Sequence, residues 1–497
     1  MSKAISILLT LIVLIILGFT ITGKKSNEQQ QTTYEENWES IQKYEVPLWF
    51  NDTKLGIFVE WGIYNVPAIK SPNYARWMDL DSVQYNAKGK IINYEPHPLH
   101  QYHLNTWGGK KEYEDFLPQL HYQQFDAFEW VNLFKTSGAK YVVAVAEHHD
   151  GFALYNSHHT KFNALQLGPK RDLAKELLTA LKSQKLKTGL SSHYAHHWNF
   201  YPLSKGPLTA QKLDQAVSKE FMQHWWNRTT DIIDQYQPDI LWFDFFINRN
   251  EFKPYHEKLA AYYYNKGIQN RQEVVLQTQS KNKEAFPAGT NILNYNYSKI
   301  KDIVPGKWQA NIPLIKYLDY TNGIGKQKKT KWIIEDFIDV ISKNGNVLLH
   351  VFPNADGTIS TAQKDILMDM GEWIQRNEKA IYGSKPWTHF GEGALSAYKN
   401  SMMQKLKSKY EKEDKYRFTV NNGKLYLFLM NTTKDGFLRL PQFRNSLMDN
   451  VSCIKVLGED KKVEWKQTQD ALIIYLPQEK TKRYTQVYEI EFDQKLN

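Results

Sequence analysis

Glu147-His148-His149-Asp150 places four ionisable side chains in succession. Two imidazoles between two carboxylates can move protons, orient a hydroxylated substrate or ligate a metal. Directly before them runs Tyr141-Val142-Val143-Ala144-Val145-Ala146, apolar and rich in β-branched residues, and Gly151 follows. An uninterrupted apolar run reads as a buried strand of a parallel sheet. A strand of that kind ending in polar groups is how a barrel presents chemistry at its C-terminal lip.

The pattern recurs. Glu60-Trp61-Gly62 follows Leu55–Val59, and His193-Tyr194 follows Thr188–Ser192, with His196 and His197 just beyond. Asp244 ends Ile240–Phe243, and later strands supply Asn294, Asn296 and His350. Carboxylates, imidazoles and indoles from distant parts of the chain thus converge on one candidate site. Asp244 is the leading catalytic candidate, because Trp242, Phe243, Phe245 and Phe246 flank it. A carboxylate beside aromatics that can stack on sugar rings suits the nucleophile of a retaining glycosidase.

Other chemistries fit less well. Adjacent residues on a regular strand point to opposite faces, so His148 and His149 are not expected to share a metal. No HExxH helix accompanies His193, His196 and His197. No metal or other cofactor is therefore expected. A GxSxG elbow is absent, and the lone Cys453 lies far from the candidate site in sequence.

The elements that must position these groups follow from the same pattern. Seven candidate strands, at Leu55–Val59, Tyr141–Ala146, Thr188–Ser192, Ile240–Phe243, Val274–Gln277, Asn291–Leu293 and Asn346–His350, alternate with helical stretches. The helical stretches include Asp126–Ser137, Leu173–Gln184, Ser218–Gln235, Tyr255–Lys266 and Lys331–Asn344. This predicts an α/β fold with a (β/α)8-like barrel over residues 45–388. A doubly wound open sheet is the alternative, but no Gly-rich phosphate loop follows a strand. Residues 389–497 change texture to short strands with turn signals such as Asn421-Asn422-Gly423, which predicts a β-sandwich. The charge run Lys405–Arg417 reads as a solvated loop.

The chain has 497 residues and a formal net charge of +10, with 15 Trp and 30 Tyr. The aromatic richness favours carbohydrate, and the charge favours solubility or a polyanionic partner such as a sulfated polysaccharide. No basic helix or basic–aromatic motif of a nucleic-acid module is present. Ala4–Thr22 carries no charge and is bracketed by Lys3 and Lys24-Lys25, so residues 1–23 read as an export signal or an N-terminal membrane anchor. Polar, Gln/Glu-rich residues 24–44 read as a disordered tether. One cysteine allows no intrachain disulfide, and the combination suits a bacterial periplasm or cell surface.

Several motifs then match a known family in order. They are Lys54–Ala68 (KLGIFVEWGIYNVPA), Ser137–Val143 (SGAKYVV), Glu147–Phe152 (EHHDGF), Gly168–Leu173 (GPKRDL), Leu241–Asp244 (LWFD) and Ile341–Leu349 (ISKNGNVLL). The chain resembles the α-L-fucosidases of glycoside hydrolase family 29 over roughly residues 45–495. That resemblance implies a (β/α)8-like catalytic domain and a β-sandwich. It further implies removal of α-L-fucosyl residues with retention and without a metal. Carried over by position, it puts the nucleophile on Asp244 and sugar-pocket roles on Trp77, His148, His149 and Trp242. His193 or Tyr194 falls where an aromatic pocket residue is common.

The departures bear on function. Where the family motif has His before Trp-Gly, this chain has Glu60, and where it often has Glu-Trp, this chain has Arg76-Trp77. The two places where the family carries its acid/base fall on Gln309 and on Asn294-Tyr295-Asn296. An amide cannot protonate a leaving group, so the acid/base is unassigned, with Glu60 as the stand-in. The candidate substrate contacts are thus Trp61, Arg76, Trp77, His148, His149, His193, Tyr194, Trp242, Asn296 and Gln309. Two functions compete. One is an exo-acting retaining glycosidase on α-L-fucosyl or α-L-galactosyl units of oligo- or polysaccharides, with Arg76 suited to a sulfate. The other is a non-hydrolytic carbohydrate-binding protein that keeps the pocket.

Overall fold

Eight short apolar strands close into a parallel barrel in the computed structural model. It describes residues 33–67, 72–79, 84–85, 91–93, 96–197, 217–280, 284–296, 300–315, 329–393, 415–431, 435–444, 450–459, 461–476 and 484–494. The barrel strands are β1 (Leu55–Val59), β2 (Tyr141–Glu147), β3 (Lys187–Ser192) and β4 (Ile240–Phe243). They continue with β5 (Val275–Gln279), β6 (Ile292–Asn296), β7 (Trp308–Pro313) and β8 (Gly345–Val351). Each pairs with its neighbours in sequence order, and β8 returns to β1 to close the ring. The open-sheet alternative is excluded by that closure.

Strand β7 is the one the sequence reading missed. Its polar residues Gln309 and Asn311 interrupt the apolar run that marks the other strands. Gln309 is accommodated because the barrel interior carries its own hydrogen-bonded amides. Tyr141 Oη donates to Gln309 Oε1 at 2.6 Å, and Gln309 Nε2 donates to Gln277 Oε1 at 3.1 Å and to Asn294 Oδ1.

The main connecting helices are α1 (Ala127–Thr136), α2 (Leu173–Ser183), α3 (Lys219–Tyr236), α4 (Lys253–Gln269), α5 (Thr330–Ser342) and α6 (Thr361–Ile381). Helix α2 shows why they form. Asp172 caps it by accepting from the Lys175 N–H, and Leu173, Ala174, Leu177, Leu178 and Leu181 recur on one buried face. That is the spacing of an amphipathic helix lying on a sheet.

Residues 1–32 lie outside the described residues, and with them the predicted signal or anchor. The tether reading fails for residues 33–44. Helix Trp38–Ile41 forms there, capped by Asn37. The Tyr34 N–H donates to Asn265 Oδ1 at 2.7 Å, the Asn265 amide donates back to the Tyr34 carbonyl at 2.8 Å, and Tyr44 stacks on Tyr264 at 4.2 Å. The aromatics in this polar stretch dock it onto α4, where composition alone suggested disorder.

The C-terminal part is a sandwich of two antiparallel sheets. Among the described residues one contains six strands, beginning with β9 (Lys385–Glu392) and continuing with β10 (Lys415–Asn421) and β11 (Lys424–Asn431); the other contains three. β9 already pairs with β10, so the module begins at Lys385. The β10–β11 hairpin turns on Asn422 at φ 51 and Gly423 at φ 78, the two positive values a tight two-residue turn needs. The charge run ends differently from the solvated loop expected. Residues 405–414 lie outside the described set, but Arg417 is buried, with Nε 2.6 Å from Asp339 of α5. Lys415 reaches Glu335 of the same helix at 2.7 Å. The run therefore contributes to the contact between sandwich and barrel.

Candidate active site

At the C-terminal lip the strand-end residues divide into those that face inward and those that do not. Asp244 directly follows β4. One carboxylate oxygen, Oδ1, accepts the Phe246 N–H at 3.1 Å and so caps the 3-10 turn Phe245–Asn248. The other, Oδ2, lies 3.4 Å from His149 Nε2. Asp244 is 2 % exposed, so its charge is held in a largely dry setting.

His148 and His149 share this space, contrary to the expectation that they point apart. The reason is local: β2 ends at Glu147, and the chain turns immediately, with the Gly151 N–H bonded to the His148 carbonyl at 2.9 Å. Gly151 has φ +76, and a Cβ there would lie 1.7 Å from His197 Nε2, so only glycine fits this turn. The His149 N–H donates to His148 Nδ1 at 2.9 Å, which leaves His148 Nε2 as the protonated nitrogen. His149 Nδ1 lies 2.8 Å from both the His193 and the His196 carbonyls. Its proton belongs there, and Nε2 is turned to Asp244.

His193 stacks on His148 with centroids 4.2 Å apart and planes at 21°. Ring nitrogens of His148, His149 and His193 approach within 4.8 Å of one another. His148 and His193 thus form one face of the pocket, and His149 stands almost perpendicular to both. Trp242 completes the floor, with its ring 5.1 Å from His193 and 5.3 Å from Phe58. Its buried indole N–H has no hydrogen-bond partner among the described residues. A buried donor without a partner is costly and points to a ligand hydroxyl.

Glu60 is buried at the end of β1. Its Oε2 accepts from Tyr64 Oη at 3.3 Å, and Oε1 lies 3.6 Å from His350 Nδ1. Arg76 is buried on the short helix Tyr74–Trp77, and burial lowers its guanidinium to about 10. Its charge disfavours protonation of His97, His149 and His196. Trp77 is half-buried and packs on His97 at 4.5 Å.

Three expected contacts are corrected. Trp61 donates its indole N–H to the Val145 carbonyl at 2.7 Å and packs among Tyr122, Phe125 and Trp130, behind the barrel wall. Glu60 and Trp61 alternate in direction, and only Glu60 faces in. Tyr194 likewise turns outward, with its hydroxyl 2.9 Å from His224 Nδ1 and its ring under Arg228. Of the pair His193 and Tyr194, His193 is the pocket residue. Gln309 is the second residue of β7, level with Tyr141 at the start of β2, and lies at the base of the barrel, away from the lip. Glu147 turns away too, to Ser192 Oγ at 2.6 Å and Arg228 Nε at 2.6 Å. Asn296 closes β6 at the lip, and its side chain lies outside the described residues.

Sequence reasoning did not select Arg249 or Asp150 as site residues, and it noted Phe246 and His196 only in passing. Phe246 stacks on His196 at 4.2 Å, and Arg249 acts on His196 together with Arg76. Asp150 accepts from Tyr113 Oη at 2.7 Å, and burial raises its carboxyl to about 6. The aromatic run after Asp244 was the available signal for Phe246. Nothing local marks Tyr113 as a partner of Asp150.

The histidines share one electrostatic feature. Burial lowers His97 and His149 to about 4 and His196 to about 2, and it holds His148, His193 and His197 well below the usual imidazole range. The unfolded chain takes up these protons near the ordinary value of about 6.5. The folded chain binds fewer protons on these imidazoles between about 6.5 and 4, so the stability they contribute is full above 6.5 and falls as pH drops through that window. Through these histidines the urea midpoint should fall more steeply from pH 6 to 4 than from 8 to 7. A midpoint unchanged down to pH 4.5 would contradict this burial pattern.

Comparison with known proteins agrees with the geometry. The α-L-fucosidase family profile matches residues 21–379, and that of the α-L-fucosidase C-terminal domain matches residues 410–491. An α-L-fucosidase of Dictyostelium discoideum is 29% identical over 443 residues, covering 86% of this chain and 87% of its own. The tissue α-L-fucosidase of Rattus norvegicus is 29% identical over 465 residues, covering 90% and 89%. Among solved structures, the Thermotoga maritima α-fucosidase superposes with a TM-score of 0.74 at 26% identity, covering 92% of this chain and 99% of that one. The chain belongs to the α-L-fucosidase family and is a glycoside hydrolase of that class. The family implies a fucosylated carbohydrate as substrate.

Proposed function

We propose that the protein is an exo-acting retaining α-L-fucosidase with Asp244 as nucleophile. The observation that carries this reading is the division of labour in one carboxylate. Oδ1 is fixed by a backbone N–H, while Oδ2 points into a pocket walled by His148, His149, His193 and Trp242. Oδ2 attacks the anomeric carbon, the glycosidic C–O bond breaks, and a glycosyl ester forms. Glu60 is the carboxyl group proposed to give the leaving oxygen its proton and to take one from the water that later cleaves the ester. His148 Nε2–H and the Trp242 indole N–H are donors for sugar hydroxyls. The apolar Ala4–Thr22 run supports export, with the enzyme acting at a bacterial periplasm or surface.

The finer reading concerns the substrate. L-galactose differs from L-fucose by a C6 hydroxyl, where a sulfate ester can sit. A guanidinium binds sulfate through a bidentate fork. The buried Arg76 charge, which acts on His149 and His196, supports an L-fucosyl or L-galactosyl unit carrying sulfate, drawn from an anionic polysaccharide. Hydrolysis of an aryl α-L-fucoside tests the activity, and matched sulfated and unsulfated substrates test the preference. We expect a higher kcat/KM on the sulfated member, reduced at least tenfold in Arg76→Ala. Faster turnover after desulfation, with the preference untouched by Arg76→Ala, would remove the sulfate reading and leave the fucosidase one standing.

A further inference from the structure

Lys54 and Lys307 meet at the base of the barrel, at the end opposite the pocket. Each directly precedes a strand, Lys54 before β1 and Lys307 before β7. Lys54 Nζ donates to the Asn51 carbonyl at 2.7 Å, and Lys307 Nζ donates to the same oxygen at 3.2 Å. One carbonyl oxygen thus holds the two amines next to each other. Two ammoniums held on one buried oxygen repel each other and lose hydration, which favours one of them as a neutral amine. Lys54 is 2 % exposed, while Lys307 keeps partial access to solvent.

The charges around the pair do not neutralise it. Asp52 and Lys385 are the ionised groups that act on it, and neither lysine forms an ion pair with a carboxylate among the described residues. Burial lowers Lys54 to about 8, and burial with the Lys54 charge holds Lys307 well below the usual lysine range. Lys54 also sits at φ 55, a backbone region that is strained for a residue with a side chain. The fucosidase site makes no use of either amine.

We propose that Lys307 is a site of reversible carbamylation by carbon dioxide, with the carbamate held by the Lys54 ammonium. The Lys307 nitrogen lone pair attacks the carbon of CO2 and forms the N–C bond. One C=O π pair moves onto oxygen, and the nitrogen releases a proton to water. Lys307 passes from neutral to negative, and a strained amine–ammonium contact becomes an ion pair with charge-assisted hydrogen bonds. No oxidant or metal is required, and CO2 is small enough to reach a mostly buried amine.

Full-length protein equilibrated with 13C-bicarbonate at pH 8 should show one carbamate carbon resonance by 13C NMR. It should also melt at a higher temperature than in CO2-free buffer. Lys307→Met should lose both the resonance and the bicarbonate-dependent shift, and Lys54→Met should weaken both. Alkylative trapping of the wild-type carbamate, followed by peptide mass mapping, should place the added mass on Lys307 even where a variant folds poorly. Absence of resonance and trapped mass in the wild type overturns the proposal. So does a trapped mass on another lysine, or equal stabilisation by chloride without any carbamate.

Discussion

Asp244→Ala should lower kcat on an aryl α-L-fucoside by roughly four orders of magnitude, about 5–6 kcal/mol of transition-state stabilisation. The size follows from the role. Removing the attacking atom abolishes the covalent path and leaves only the binding provided by the rest of the pocket. The fold should tolerate the change, because the carboxylate's structural duty is one cap on a short 3-10 turn, worth about 1 kcal/mol. Azide should restore part of the rate by entering the space vacated by the carboxylate. It then attacks from the nucleophile's side and yields a β-L-fucosyl azide of inverted configuration. Near-normal hydrolysis by the alanine variant would remove Asp244 from the mechanism. Loss of activity without azide rescue and with a collapsed melting transition would instead indicate a folding defect.

The barrel was legible where strands are short, apolar and closed by a polar residue. β4 is the clearest case: Ile240–Phe243 is a strand over the range its sequence suggests, and Asp244 sits at its lip. β7 was not legible because Gln309 and Asn311 look like loop residues until Gln277, Asn294 and Tyr141 are seen to satisfy the Gln309 amide. Pocket membership was harder. A strand-end motif gives two or three candidates, and side-chain parity decides among them. Glu60 faces in and Trp61 out; His193 faces in and Tyr194 out. The His148-His149 pair broke the parity rule because the strand stops one residue earlier, and a glycine-dependent turn sets both rings to the same side. Long-range partners were invisible for a simpler reason. Nothing near Glu147 announces Arg228, which lies 81 residues away.

That buried pair carries the second large effect. Arg228 and Glu147 are 1 % and 0 % exposed, and Arg228 Nη2 also holds the Gly151 carbonyl at 3.1 Å. The guanidinium therefore ties the end of β2 and the His148–Gly151 turn to α3. Arg228→Met keeps the length of the side chain but leaves the Glu147 carboxylate in the interior with Ser192 Oγ as its remaining hydrogen-bond donor among the described residues. Breaking such a pair on one side typically costs about 3–5 kcal/mol, chiefly from the uncompensated charge. We expect the urea midpoint of Arg228→Met to fall accordingly. Pairing it with Glu147→Gln removes the stranded charge, so the double variant should be more stable than Arg228→Met alone, a coupling that a double-mutant cycle measures directly. The fucosidase reaction should respond through geometry. With the Gly151 carbonyl released, the turn that sets His148 and His149 loosens, and KM should rise in the double variant even where stability recovers. An Arg228→Met protein within about 0.5 kcal/mol of wild type would contradict this account, since surface-like tolerance is not expected of a fully buried ion pair.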